Sequence, residues 1–402
     1  MNPGADSLQV VVAGGGVAAL EATLALRALA RDPVSIELIA PDSEFVYRPL
    51  AVTEPFRVGE TRRFPLAPLV EAAGASLRSS RAAAVDPDRR VIVTGEGAER
   101  RYDVLIVALG ARPREAVSGA LTFSGPQSGE ALAALLEETL AGEVRRIVFA
   151  LPGGVAWPLP LYELALLTKS FLVDSGATGV EVVLVTPEER PLALFGSQAS
   201  DAIAELLASR GITCHLHTTP VRFEQRLLRL APDEVVEADR VVALPRLEGP
   251  RVTGLPCDTE GFLPIDAYCR VGSEPDVYAA GDATRFPLKQ GGIAAQQADV
   301  AASDIARRAG STSEPSPFRP VLRGLLLTGM TARFLRAEPG TTRSAIDTEA
   351  LWWPPAKIMG RHLAPFLAAK LGLSEETPPA TGERIPVEVE LDRQGQRASA
   401  HV

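Results

Sequence analysis

Cysteine is scarce in this chain. Cys214, Cys257 and Cys269 are spread through 402 residues with no CxxC or CxxxxC pair. That spacing excludes a sequence-local redox disulfide and argues against a secreted, disulfide-stapled scaffold. Histidine is equally sparse, at four residues. His215 and His217 of "CHLH" are expected on one face of a strand, but two ligands without a third make no metal site. No apolar run reaches the ~18 residues of a membrane-spanning helix. Positive charge is in deficit, with 41 Lys and Arg against 50 Asp and Glu, so the net charge is −9. A balance of that sign argues against nucleic acid, which needs basic faces. Lysine itself is confined to Lys169, Lys289, Lys357 and Lys370. The first strand is expected to begin by about residue 8, leaving no room for a signal peptide, and the expectation is a cytoplasmic enzyme.

What remains is an ordinary soluble composition, 46% hydrophobic and 23% charged, on a chain long enough for two or three domains. "LQVVVAGGGVAALEATLALRALA" (8–30) reads as a buried strand, a glycine turn and a helix. Within it, Gly14-x-Gly16-x-x-Ala19 has the spacing of a dinucleotide fingerprint. Gly14 permits the tight turn, Gly16 lets a pyrophosphate approach the backbone, and Ala19 allows close helix–strand packing. The helix amino terminus then offers N–H groups and a positive dipole end to phosphates. The acidic residue that normally closes the second strand is missing; "SIELIAPDSEF" (35–45) leaves Asp42 or Glu44 as substitutes, either of which can equally be a solvated turn residue.

Two further elements follow. "VDPDRRVIVTGEGAERRYDVLIVALGARPR" (85–114) predicts a small antiparallel meander feeding a buried strand, with Ala108 and Gly110 just beyond it. "EPDVYAAGDATRFPLKQGGIAAQQADVAASDIARRA" (274–308) predicts a short strand, Gly281-Asp282, a loop and a long alanine-rich helix opening after Gly291-Gly292. That helix end, with Lys289 beside it, would favour negative charge.

In that order the three elements resemble the FAD-dependent pyridine-nucleotide–disulfide oxidoreductase superfamily, and within it type II NADH dehydrogenases and sulfide:quinone reductases most of all. The resemblance covers residues 8 to about 310. It implies an α/β fold of two doubly wound, Rossmann-like dinucleotide-binding domains plus a C-terminal α+β interface segment. The expected divisions are 1–115 and 246–318 for the FAD domain, 116–245 for the second domain and 319–402 for the last segment. The cofactor implied is FAD, with its phosphates at Gly14, Gly16, Val17 and Ala18 and its ribitol at Gly281 and Asp282. "EFVYRPLAV" (44–52) resembles the segment along the flavin, which places the ring near Arg48, Pro49, Lys289 and Gly291, with Ala108 and Gly110 in the returning backbone and Asp42 towards the ribose.

The second domain is expected to take strand, helix, strand, helix and strand at "EVRRIVFAL", "YELALLTKSFLV", "GVEVVLVTP", "SDAIAELLASRG" and "ITCHLHT". Its nucleotide fingerprint is degenerate. Anchoring on Glu163 puts Ala156, Pro158 and Leu161 where relatives that bind NAD(P)H carry three glycines; proline has no N–H to offer. Glu188, past the next strand, is the candidate for a ribose. Pro160-Leu161-Tyr162-Glu163 resembles a "PxYE" run of sulfide:quinone reductases, but Ala156 and Trp157 stand where that family places a reactive cysteine. Trp157, Pro160 and Tyr162 are expected to line a substrate pocket, and Glu163 is the candidate acid or base.

In the last segment "PVLRGLLLTGMTARFLR" predicts a hairpin. "EALWWPPAKIMGRHLAPFLAAKLGL" (349–373) predicts an amphipathic helix with a stripe of Met359, Leu363, Phe366, Leu367 and Leu371 flanked by Lys357, Arg361 and Lys370. Core packing and contact with a membrane surface are the two readings of that stripe. The expected function is electron transfer from an unidentified small-molecule donor through FAD to a quinone or similar acceptor. NAD(P)H dehydrogenation through an atypical site and a non-catalytic flavin-binding sensor are the alternatives. A homodimer and a peripheral position at the inner membrane face accompany that expectation.

Overall fold

The computed structural model describes residues 7–30, 34–341 and 343–370, together with the short strand pieces 392–393 and 396–397. A six-stranded sheet is built first. Its order is Arg270–Val271, Glu274–Ala279, Val104–Val107, Leu8–Ala13, Val34–Ala40 and Ser76–Ser79, parallel throughout except at the first edge strand. The central strands are near-continuous runs of Val, Ile and Leu because both faces are covered. On one face lie the helices Val17–Ala30 and Gly291–Arg308. They meet through small residues, among them Ala22, Ala25, Ala298 and Ala302, all fully buried. The other face is covered by the predicted meander, Ala82–Asp86, Val91–Thr94 and Glu99–Arg101.

A second sheet of five parallel strands follows in the order Leu121–Thr122, Arg240–Ala243, Arg146–Ala150, Glu181–Val185 and Ile212–His215. Helices Leu159–Asp174 and Ser197–Ser209 alternate with its strands as expected. The chain enters and leaves this unit side by side, Arg112–Arg114 pairing antiparallel with Arg246–Glu248. His217 does not extend the last strand, which ends at His215. It sits instead in a left-handed turn at φ 56°, so the two histidines do not share a strand face.

The predicted hairpin is present as Leu322–Leu326 and Arg333–Ala337, and Ser344–Asp347 adds a third antiparallel strand. The long amphipathic helix is not. Residues 351–362 run without regular structure, and a helix occupies only Leu363–Lys370. Pro354 and Pro355 remove two backbone donors, so the apolar spacing of this stretch was never helical. Leu363 and Leu367 pack into the core beneath the first helix, and Lys357 turns inward instead of flanking a stripe. Leu371 lies outside the described residues, as does "RIPVEVEL" (384–391), whose sequence allows a short strand. Among the described residues no helix is long and apolar enough to cross a membrane.

Candidate functional site

The first glycine turn is shaped for close approach. Gly14 lies at φ 130°, and a Cβ there would overlap the Ala108 carbonyl oxygen, so the turn packs directly on the neighbouring strand end. A Cβ at Gly16 would meet nothing within 4 Å, and neither would one at Gly110. These positions offer open backbone at the end of the strands, beside the amino terminus of the helix that starts at Val17. Gly281, at φ 78°, brings the distant third element against the first: its Cβ would stand 3.3 Å from Ala18 Cβ and from Ala294 Cβ. Asp282 follows in a single turn of 3-10 helix. Asp42, by contrast, is exposed, and Glu44 is ion-paired with Arg63 at 3.5 Å.

Where the two sheets and the last segment meet, a cleft of about 270 Å³ brings together Arg48, Pro49, Trp157, Pro160, Glu163, Asp282, Lys289 and Gly291. Lys289 and Asp282 are its charged floor. Burial pulls the Lys289 ammonium down to about 8 against the pull of Asp282, and it stacks over the Phe262 ring at 3.9 Å. Burial pushes the Asp282 carboxyl up, with Lys289 and then Arg48 acting the other way. Gln290 caps the helix Gly291–Arg308, its side chain accepting the Ile293 N–H at 2.9 Å. Open backbone at Gly16, a half-buried carboxylate at Asp282 and a capped helix start match what an extended dinucleotide with a flavin ring requires. The residues present therefore fit FAD.

Glu163 is placed in the cleft wall, fully buried. Both its oxygens accept from Lys357 Nζ at 2.7 Å, and Oε1 also accepts the Leu327 N–H at 2.9 Å. Lys357 donates once more, to the Pro49 carbonyl at 3.1 Å. Burial raises the Glu163 carboxyl, and the ammonium pulls it back. Lys357 lines the cleft and was missed as a site residue from sequence; the only signal was its being one of four lysines in an arginine-rich chain. Ile358 follows it over Gly291, its N–H donating to the Tyr47 hydroxyl at 2.9 Å.

The second nucleotide fingerprint is filled in. Pro158 caps the helix Leu159–Asp174 and Pro160 lies in its first turn, so two of the N–H groups a pyrophosphate would use do not exist. Leu161, at the position where the family resemblance implies a glycine, is fully buried. Tyr162 is not a pocket residue: it is buried inside this unit and donates its hydroxyl to Glu188 at 2.5 Å. Thr186 donates to the same carboxylate oxygen at 3.0 Å. Glu188, the candidate for a ribose, is thus spent within the protein. Gly153 is pinned by Arg246, whose Nε donates to its carbonyl at 2.7 Å. Trp157 meets Phe195 edge to face at 5.9 Å while reaching the cleft.

The three cysteines are free, and none lines the cleft. Burial pushes the Cys214 thiol up to about 11 and raises that of Cys269 further, away from the thiolate that sulfur chemistry needs. Among the described residues no group of three potential ligands forms a metal site.

Two parallel-sheet units, a glycine cradle in the first and a shared cleft between them define a flavoprotein of the two-dinucleotide-fold class. The chain matches the family described as pyridine nucleotide-disulphide oxidoreductase over residues 8–303 and belongs to it. It is an FAD-dependent oxidoreductase. One curated relative, the sulfide-quinone reductase of Aquifex aeolicus, is 27% identical over 213 residues; the match spans half of this chain and 49% of that protein. Among solved structures, the sulfide:quinone oxidoreductase from Aquifex aeolicus superposes with a TM-score of 0.79 at 20% identity, covering 85% of this chain and 87% of that one. The ferredoxin reductase for the CYP199A2 system from Rhodopseudomonas palustris gives 0.63 at 20% identity, with 83% of each chain covered. At those identities the likeness is one of fold.

Proposed function

We propose that this protein passes electrons from a small-molecule donor other than a nicotinamide through FAD to a quinone. The observation that carries the reading is the filled second fingerprint: prolines at the helix start, Leu161 where the family resemblance implies a glycine and Glu188 consumed by Tyr162. The likeness to quinone reductases supports the choice of acceptor. Gly14, Gly16, Val17 and Ala18 would hold the pyrophosphate, Gly281 and Asp282 the ribitol, and Arg48, Pro49, Lys289 and Gly291 the ring. Bound there, the flavin supplies two-electron chemistry.

The chain's own part is to orient and to move protons. Reducing a quinone to a quinol consumes two electrons and two protons. Lys357, held between the Glu163 carboxylate and the Pro49 carbonyl, presents an ammonium at the cleft wall and is the proposed proton donor. Trp157, Phe123, Leu244 and Ile358 supply apolar walls that suit a quinone ring and exclude water. Lys289 would favour negative charge on the pyrimidine side of the ring. With no cysteine in the cleft, sulfide oxidation through a protein thiol has no support here.

The test is anaerobic and uses the FAD-loaded enzyme. NADH and NADPH should leave the flavin band unchanged, while a short-chain quinone should reoxidise dithionite-reduced flavin within the mixing time of a rapid-mixing experiment. Fast bleaching by either nicotinamide would revive the dehydrogenase alternative. A reduced flavin that ignores quinone would return the protein to the sensor alternative.

A further inference from the structure

The cleft carries one cation more than its own carboxylates account for. Its charged lining is Arg48, Glu163, Asp282, Lys289, Arg323 and Lys357. Lys357 is engaged by Glu163, and Lys289 and Arg48 act on Asp282. Arg323, on the hairpin strand Leu322–Leu326, is left over. It is half-buried, its Nε is buried without a hydrogen-bond partner, and its guanidinium forms no ion pair among the described residues. The acidic group that acts on it, Glu338, already pairs with Arg336 at 3.1 Å and with Arg343 at 3.4 Å. Burial, then the like charge of Arg336, make the ammonium-like form of Arg323 harder to hold, as for a cation without compensation. Its backbone is fixed on both sides. Gln290 Nε2 donates to the Arg323 carbonyl at 2.7 Å, and a Cβ at Gly324 would stand 2.7 Å from Phe195 Cζ.

We propose that Arg323 binds the electron donor, and that the donor is a small organic acid whose carboxylate this guanidinium holds in the cleft. The inference deepens the proposed function and rests on it for one point, that the acceptor is a quinone. An oxidised quinone is neutral and offers a guanidinium no charge to pair with, so the surplus cation serves the donor. The planar fork of an arginine matches the two oxygens of a carboxylate, and the pairing is stronger in half-buried surroundings than in water. A phosphate group calls for further donors, and the helix start beside the cleft is already capped by Gln290. Trp157, Phe123 and Leu244 line the same cleft, so an apolar body and an acidic end both find their match. Oxidising the donor removes two electrons and two protons, and the quinone takes up both as quinol, so the overall exchange balances.

Benzoate is the probe, with benzamide as its neutral counterpart, each titrated into the oxidised FAD-loaded protein while the flavin absorbance band is followed. Benzoate should bind at least about tenfold more tightly than benzamide. Arg323→Met should weaken benzoate by about tenfold or more and leave benzamide within about twofold. Arg323→Lys keeps the charge without the fork; its benzoate affinity should fall between, and it replaces the methionine variant if that variant holds too little FAD. Arg336→Met, on the same hairpin but outside the cleft lining, should change benzoate affinity by less than about threefold, which separates a contact from a general field. Equal affinity for benzoate and benzamide, benzoate affinity unchanged in the Arg323 variants, or an equal loss in Arg336→Met would overturn the site. Inorganic phosphate binding more tightly than benzoate, with the same dependence on Arg323, would overturn its assignment to a carboxylate. Quinone reoxidation of the reduced flavin is measured separately and without benzoate, so a failed quinone reading and a failed anion site give different results.

Discussion

Replacing Lys357 with methionine isolates the buried charge of Glu163. The side chain is 1% exposed and keeps one backbone donor, the Leu327 N–H, when the ammonium is gone. Two outcomes compete. Keeping the carboxylate charged and unpaired costs about 3–5 kcal/mol. Taking up a proton costs the distance between ambient pH and the ordinary carboxyl value of 4.5. At pH 7 that is two and a half pH units at about 1.36 kcal/mol each, or roughly 3.4 kcal/mol. Protonation is at least as cheap, and its cost depends on pH. The sign follows from linkage. In the variant the folded-state value lies above 4.5, so the group's contribution is intact below about 4.5 and is lost as pH rises towards the folded value. Urea unfolding of the FAD-saturated protein should therefore show a loss of at most about 3 kcal/mol at pH 7, shrinking to at most about 0.7 kcal/mol at pH 5, because the wild-type carboxyl is itself raised. The double variant Glu163→Gln/Lys357→Met should show little of this pH dependence between those values. A Lys357→Met loss as large at pH 5 as at pH 7 would refute an ionised Glu163.

Three further outcomes follow from the site. Gly14→Ala should yield protein with little flavin, because its Cβ would overlap the Ala108 carbonyl oxygen, whereas Gly16→Ala should leave apo-protein stability within about 0.5 kcal/mol and weaken FAD alone; the flavin-to-protein absorbance ratio and thermal melts separate the two. Lys289→Met should lower the flavin midpoint potential at pH 7 and erase an inflection near pH 8, where the wild-type ammonium loses its proton; potentiometric titration at several pH values reads both. Tyr162→Phe should cost about 1–3 kcal/mol by removing a donor from half-buried Glu188, with the loss growing above the ordinary carboxyl range because burial already raises that group, and denaturant unfolding at pH 5 and pH 8 checks the trend.

Legibility in the sequence tracked sequence distance. The turn at Gly14, the strand before it and the helix after it are local, and each reads from neighbouring residues. The same is true of the alternating second unit and of the hairpin at 322–337. Lys357 was invisible as a site residue because its partner Glu163 is 194 positions away. Glu21 looked like any polar residue of an Ala-rich helix, since the His362 and Leu363 N–H groups that its carboxylate accepts lie 341 and 342 residues further on. Tyr162 was misplaced for a related reason. "PxYE" suggested a pocket, but helical spacing sends adjacent residues to different faces, so Glu163 reaches the cleft and Tyr162 turns to the sheet. The helix expected at 349–373 failed because apolar spacing was counted across a Pro-Pro pair.

The second unit has a dinucleotide-domain fold with prolines and Leu161 at its fingerprint position, and the cleft gives that fold a structural use. Its helix Leu159–Asp174 supplies Glu163, which fixes Lys357, and the stretch before that helix supplies Trp157. Leu244 and Pro245, just after its strand Arg240–Ala243, close the same cleft. Each of these needs the parallel sheet and helix of a dinucleotide domain to hold it, but none needs a dinucleotide. Leu161 then has a physical role at the position where the family resemblance implies a glycine. Under the proposed function no nucleotide approaches here, so the helix and sheet are fixed by a buried side chain where a gap would be a cavity costing stability. The prolines at the helix start follow the same logic, because under the proposed function the donors they delete have no phosphate to serve. The unit thus forms one wall of the cleft, and the ion pair in that wall joins its helix to the last segment.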